Sequence, residues 1–236
     1  MSDLRIIALP ALGDVGADDD LATLVLEGLD AAGLDLLEHD LIVVTSKVVS
    51  KAEGRVVSFD GTAAHREALI AQESRRILRR RGALRITETH HGYVNANAGI
   101  DHSNTAEGTA VLLPKDPDRS ARRLRAEFRR RRDVEVAVVI TDTFGRTWRN
   151  GVTDVALGSA GVRPILDLRG TADAHGRILD VTEVAIVDEI AGAANLVLGK
   201  AARTPFALVR GLDPSYFGDG SVIGDVVRTP QGDLFR

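Results

Sequence analysis

Three short polar stretches carry residue types suited to phosphate and a divalent cation. Residues 46–51 include Ser46, Lys47, Ser50 and Lys51; residues 101–104 include Asp101, Ser103 and Asn104; residues 142–149 include Asp142, Thr143, Arg146 and Arg149. Carboxylate and hydroxyl oxygens suit Mg2+ or Mn2+, ions that bind substrate phosphates through few protein ligands plus water. Asp101 and Asp142 are the best metal candidates of the set. Lys47, Lys51, Arg146 and Arg149 could offset phosphate charge, because phosphoryl transfer needs mainly positioning and electrostatic stabilisation. No nucleophilic side chain is required. Each acid, taken singly, also has a plainer reading as a cap or turn acceptor.

The second cluster closes a longer polar stretch, residues 90–104, rich in Asn, Gly and small residues and holding His90, His91 and His102. It lacks the pattern of a buried strand or an amphipathic helix face and reads as a site-lining loop. The histidines read as hydrogen-bonded loop residues: His91 and His102 lack the i, i+4 relation of helical ligand pairs. Phe144 and Trp148 read as packing residues. Residues 192–200 end in Gly199 and Lys200 but do not match a Walker A loop in spacing, and Ala201 replaces its Ser or Thr. Residues 13–16 lack the full dinucleotide fingerprint.

These clusters need elements to position them. Residues 4–9 read as a strand ending at Pro10, and Asp18, Asp19 and Asp20 as the capped start of a helix carrying Leu21, Leu24, Val25 and Leu29. Residues 41–45 form a compact β-branched strand that delivers Ser46. Residues 65–81 read as a helix whose arginine-rich end complements the helix dipole, and residues 118–132 as a second arginine-rich helix. Strands over 86–89 and 110–113 bracket the polar loop. The clearest strand, residues 134–141, should be central and should hand Asp142 and the polar residues through Gly151 to its C-terminal end, where α/β folds place chemistry. An irregular glycine-rich region over 158–176, a helix over 181–198, a last strand over 206–209 and a loop-rich tail over 211–236 complete the pattern.

Composition bounds the class. A chain of 236 residues with 44% hydrophobic residues can bury a sizeable core. Thirty basic residues against 34 acidic ones give a net charge of -4, which disfavours nucleic acid as a partner, and the arginine runs read as solvated helix faces. With no cysteine, disulfides, thiolate metal sites and a cysteine nucleophile are excluded. The N-terminus lacks a signal-peptide pattern and no apolar run is long enough for a membrane, so a cytoplasmic protein is expected.

Taken together, residues 44–55, 96–104, 112–118, 141–151 and 187–191 with Gly199 and Lys200 resemble, in order, the coenzyme F420-0:L-glutamate ligases, the F420 γ-glutamyl ligase family. The resemblance implies a mixed α/β or α+β fold of the family's own kind, neither P-loop nor Rossmann. It would occupy residues 1–236 as one ligase domain or as two intimately associated subdomains, without the C-terminal nitroreductase-like domain of some bacterial relatives. The implied reaction consumes GTP to phosphorylate the terminal carboxylate of F420-0. The amine of L-glutamate then displaces phosphate, and further glutamate is added by γ-linkage. Mg2+ or Mn2+, K+ and a homodimer are implied with it. The resemblance assigns Asp101, Asp142 and Thr143 to the divalent metal, and GTP contacts to Ser46, Lys47, Lys51 and Asn104 and to the segments holding Leu9, Pro10, Ala11 and Leu12 and Gly199 and Lys200. Asp101, Asp142 and Arg146 are the expected catalytic residues. Lys200 departs from the Gln that some relatives carry near the metal. A nucleotide- or deazaflavin-binding module without ligase activity is the alternative, separable by the need for Asp101 and Asp142.

Overall fold

A computed structural model of the chain describes residues 3–10, 13–103, 105–199 and 204–234. Strand β1 (Arg5–Leu9) leads to helix α1 (Leu21–Ala31), and the Asp20 carboxylate caps it by accepting from the backbone N–H groups of Ala22 and Thr23. The β-branched run becomes β2 (Leu41–Thr45) and passes without a loop into α2 (Ser46–Ala52). Next come β3 (Val56–Ser58), α3 (Ala63–Glu73), β4 (Ser74–Arg81), β5 (Leu84–Thr89), β6 (Val94–Ala96) and β7 (Thr109–Val111). Helix α4 (Pro117–Arg132) starts with Pro117 in its first turn and Asp116 as cap, then precedes the hairpin of β8 (Ala137–Arg146) and β9 (Arg149–Ala160). The short strands β10 (Leu166–Asp167) and β11 (Glu183–Val184), helix α5 (Ile186–Leu198) and strand β12 (Phe206–Arg210) follow.

The organising element is a five-stranded mixed sheet in the order β1-β12-β2-β8-β9, in which only β2 and β8 run parallel. Alternation along its strands feeds two apolar layers. Ile42, Val44, Val138, Ile140 and Leu208 pack with residues of α1, α2 and α4, including Val25, Leu29, Val49 and Phe128. Leu41, Val43, Val139, Ala207 and Val209 pack with Val187, Ile190, Ala194 and Leu198 of α5 and with Val222. Burial on both faces explains why β2 and β8 read as nearly continuous apolar runs. The arrangement is a mixed α+β fold with no P-loop or Rossmann pattern. The strand expected over 134–141 starts at Ala137 and is interior, paired on both sides, while β2 holds the middle of the sheet.

Four expectations need correction. The helix expected over 65–81 ends at Glu73, and the arginine run is the strand β4, paired antiparallel with β5. Cross-strand pairing overrides the helical periodicity, and Arg75 and Arg76 both reach the Glu88 carboxylate on β5. The helix expected from 181 begins at Ile186, because Glu183 and Val184 pair with β10. Residues 94–96 within the polar loop form β6 on the edge of the β4-β5-β6 sheet, with Asn95 facing inward. The polar run after Ile140 does not leave the sheet: β8 continues to Arg146 and turns back into β9, which exposes Trp148 to 88% at the tip and removes it from any packing role in this chain. Among the described residues no helix is long and apolar enough to cross a membrane.

Candidate active site

One register row fixes where the polar clusters meet. Leu9 pairs with Phe206, Phe206 with Val44, Val44 with Ile140 and Ile140 with Gly158, so this row crosses all five strands at one level. The C-terminal ends of β1 and β2, the end of the apolar part of β8 and the start of β12 therefore share a single edge. Just beyond the row, Thr45 pairs with Thr141, and the Thr45 N–H donates to the Pro205 carbonyl at 3.0 Å. Pro10, Ser46 and Asp142 are each the next residue or two along their strands. Segments separated by more than a hundred residues in sequence thus converge on one line.

Ser46, buried at the start of α2, lies close enough to the Asp142 carboxylate to favour its charged form. Lys47 reaches across to the other cluster: its Nζ lies 2.6 Å from Asp101 Oδ2 and donates to the Ser103 carbonyl at 2.7 Å. Ser103 completes the knot, its backbone N–H donating to Asp101 Oδ1 at 2.7 Å and its hydroxyl to Oδ2 at 3.0 Å. Burial pushes the Asp101 carboxyl up, but the hydrogen bonds from Lys47 and Ser103 and the Lys47 charge outweigh it and hold the group below the usual carboxylate range. A backbone bridge between Asp101 and Val111 fixes the loop from below.

Asp142 behaves in the opposite way. Burial drives its carboxyl up to about 7, against hydrogen bonds from the Thr143 backbone and the Ser46 hydroxyl, and the negative charges of Asp154 and Asp101 push it further. Asp154 was not foreseen from the sequence. It lies directly opposite Thr143 in the β8–β9 ladder, and its Oδ1 accepts from the Thr143 hydroxyl at 2.7 Å. Only the hairpin register reveals it; the repeated Thr-Asp pairs at 141–142 and 153–154 were the one available signal.

The carboxylates of Asp101 and Asp142 offer oxygen alone, which suits a hard divalent ion rather than zinc. Among the described residues no three His, Asp or Glu side chains gather tightly enough to hold an ion alone. The set fits an ion that takes one or two carboxylates and completes its shell with water and substrate oxygens, as Mg2+ does. Mutual repulsion at Asp142 is what such an ion would relieve.

The remaining expected residues are placed as follows. Lys51 lies one turn beyond Lys47 on α2, on the same helix face. Leu9 is fully buried, so only its backbone and Pro10 face the edge. Gly199 ends α5 with a positive φ of 39°, and the Thr204 hydroxyl donates to the Leu198 carbonyl at 2.6 Å nearby. Arg146 sits exposed at the hairpin tip, donating to the Asn150 carbonyl at 2.9 Å; the structure does not bring it to Asp101 or Asp142. Ala11, Leu12, Asn104 and Lys200 lie outside the described residues. His90 and His91 are hydrogen-bonded loop residues, as expected, bonding the carbonyls of Gln72 and Lys115, whereas the His102 ring stacks on Phe59. The arginines of β4 and α4 are largely engaged by acids, including Glu67, Glu88, Glu127 and Glu135.

Comparison with known proteins first gives the class. A family model described as F420-0:Gamma-glutamyl ligase matches residues 11–211. The chain is also 38% identical to the coenzyme F420:L-glutamate ligase of Methanothermobacter thermautotrophicus over 249 aligned residues, covering 99% of both proteins. It is 41% identical to the protein of that name from Methanopyrus kandleri, covering 99% of this chain and 98% of the other. The Halobacterium salinarum protein of the same name is 38% identical over 99% of this chain. The chain belongs to the F420-0:γ-glutamyl ligase family.

Proposed function

We propose that this chain is a ligase that joins L-glutamate to coenzyme F420-0 at the expense of GTP, then adds further glutamate through γ-links, in coenzyme F420 biosynthesis. The carrying observation is the single sheet edge at which Ser46, Lys47, Asp101 and Asp142 converge, in a chain whose relatives carry the ligase name along nearly their whole length.

A carboxylate resists attack by an amine because its leaving group is an oxide. Transfer of the GTP γ-phosphoryl group to the terminal carboxylate of F420-0 releases GDP and gives an acyl phosphate. The glutamate amine then attacks the acyl carbon, inorganic phosphate leaves and an amide forms. Lys47 and Lys51, on one face of α2, supply positive charge to the nucleotide phosphates. Asp101, Asp142 and Thr143 would hold Mg2+ or Mn2+, which screens the repulsion between phosphate and carboxylate oxygens. Ser46 and Ser103 keep the two carboxylates oriented, and the segments around Pro10 and Gly199 flank the guanine nucleotide. K+, implied by the family resemblance, would supply further charge screening.

We further read the chain as a homodimer. Trp148 and Val152 on the β8–β9 hairpin and Leu196 on α5 are large apolar residues exposed in this chain, the material an interface between copies uses. Light scattering at assay concentration checks this, and a monomer there overturns it. The activity is tested by mass spectrometry of F420-0 incubated with glutamate, GTP, Mn2+ and K+. Products heavier by successive glutamyl residues, with stoichiometric GDP, are expected; no added glutamate under these conditions refutes the reading.

A further inference from the structure

Helix α4 carries two kinds of arginine. Those of its second half are all engaged: Arg125 and Arg129 pair with Glu135, Arg130 and Arg131 with Glu127, and Arg132 with Asp30. Those of its first half are not. Arg119, Arg122 and Arg123 are exposed, as is Lys115 just ahead of the helix, and among the described residues none of the four has an acid within ion-pair distance. The three arginines stand at i, i+3 and i+4, so they are mutual neighbours, and like charges so spaced oppose one another. Arg119 also lies in the first turn, where the positive end of the helix dipole disfavours a cation. In a chain of net charge -4, four unpaired cations gathered against their own repulsion point to an anion.

Hydrogen bonds fix where this patch lies. Glu53, which follows the last residue of α2, holds the start of α4 with both oxygens: one accepts from the Lys115 N–H at 2.9 Å and the other from the Ser120 hydroxyl. His91 Nε2 bonds the Lys115 carbonyl at 3.0 Å. Lys115 is thus fixed through its backbone, from α2 on one side and from the polar loop on the other. The opposite end of α2 is Ser46, beside Asp142, and the rise of a helix puts about 10 Å between Ser46 and Glu53. The patch therefore begins a short way from the candidate site without being part of it.

We infer that Lys115, Arg119, Arg122 and Arg123 form the surface that holds the γ-glutamyl tail of the acceptor. The inference rests on the reading that glutamate is added repeatedly through γ-links. Each new amide uses the amine of the incoming glutamate and leaves its α-carboxylate free, so the tail gains one uncompensated charge per residue. The terminal γ-carboxylate has to lie beside Asp142 to be activated, and the carboxylates of residues already added trail away from it. A path of about 10 Å is covered by about three residues even at the ~3.6 Å of an extended peptide, and by fewer of the longer γ-linked units. Guanidinium groups suit this ligand, because they grip carboxylates bidentately and stay charged at any working pH. F420-0 carries no added glutamate, so its first ligation does not draw on the patch.

The test compares the wild-type full chain with Arg119→Gln, Arg122→Gln and Arg123→Gln combined, glutamine being an uncharged residue that favours helix. KM is measured for GTP, for F420-0 and for acceptors already carrying one or two glutamyl residues, and thermal melts verify the fold. KM values for GTP and F420-0 should stay within about twofold of wild type, while that of the two-residue acceptor rises about fivefold or more and the products shorten by mass spectrometry. In the wild type itself, raising NaCl from about 0.05 to about 0.5 M should weaken the two-residue acceptor more than F420-0, a readout that needs no variant. A rise shared equally by GTP and F420-0 assigns the patch to the nucleotide or to anions in general, and unchanged values for every acceptor leave it a solvated helix face. Either result overturns the inference while the ligase reading stands, and so does a wild type that adds one glutamate and stops. A wild type that extends no acceptor overturns the ligase reading and this inference together.

Discussion

The Lys47 ammonium lies 2.6 Å from the Asp101 carboxylate, joining the first residues of α2 to the polar loop that follows β6. The pair neutralises two groups that the proposed chemistry uses separately, the acid for a cation and the lysine for phosphate. A cation that reaches Asp101 must therefore exchange with Lys47, which frees the ammonium toward the nucleotide. Lys47→Met should raise Mn2+ affinity measured without nucleotide severalfold while raising the KM for GTP at least about tenfold. Calorimetric titration with Mn2+ and steady-state kinetics check the two halves. A KM for GTP equal to that of the wild type would remove Lys47 from the phosphate site.

Asp142 makes the pH dependence explicit. Burial, with the nearby charges of Asp154 and Asp101, raises its carboxyl from the ordinary range to about 7. Between about pH 4 and pH 7 the native state therefore keeps a proton that the unfolded chain has released. The associated stability is full below the unfolded value and is lost as pH rises through about 7. Asp142→Asn stays neutral throughout, so in EDTA its melting temperature should exceed that of the wild type at about pH 8, and the gap should close near pH 4. A gap of the same size at both pH values would contradict the assignment. The same variant separates a ligase from a binding module: turnover should fall about a hundredfold or more while nucleotide affinity largely persists.

The sequence was informative wherever one local pattern decided the outcome. The run at 41–45 is β2 to the residue, and Asp20 caps α1 as its acidic run predicts. Elsewhere long-range pairing decided. Residues 74–81 have helix-compatible spacing, yet β5 captures them as a strand and Glu88 gathers two of their arginines. Ser46, Lys47 and Asp142 became candidates because polar residues follow apolar strands, and Asp101 because it closes a polar loop. Asp154 could not be singled out, since its place depends on the β8–β9 register, including the irregularity between Ile140 and Thr141. Arg146 shows the converse: its residue type suits phosphate, but the hairpin carries it to the exposed tip.

Gly158 marks where α4 meets the sheet. It faces Ile140 in the row beside the candidate site, and a Cβ there would stand 2.3 Å from the Pro117 carbonyl carbon and 2.5 Å from the Asp118 nitrogen. Both are backbone atoms and cannot swing aside. Asp118 is itself held, accepting from the N–H groups of Ser159, Val222 and Ile223. Gly158→Ala should destabilise the fold by about 3 kcal/mol, the upper end for overpacking. Urea unfolding checks it, and a midpoint equal to that of the wild type would show that the helix start can give way.

At the opposite end of the sheet, Asp40 is 1% exposed and its two oxygens accept from Arg210 Nε at 2.8 Å and Nη2 at 2.7 Å. The Leu37 N–H adds a third bond at 2.8 Å. Arg210→Met leaves that carboxylate buried without its cation, which costs more than the pair itself contributes; the expected loss is about 3 kcal/mol, at the low end because the Arg210 side chain is 28% exposed. Arg210 closes β12 at the end remote from the Leu9–Phe206–Val44–Ile140 row, so the geometry of Ser46 and Asp142 does not depend on it. The variant should therefore melt earlier yet keep wild-type KM values for GTP and glutamate at temperatures where it is folded. Altered KM values under those conditions would mean that strain at one end of β2 reaches the other, and that the sheet edge is set by the whole strand rather than by its last pairs.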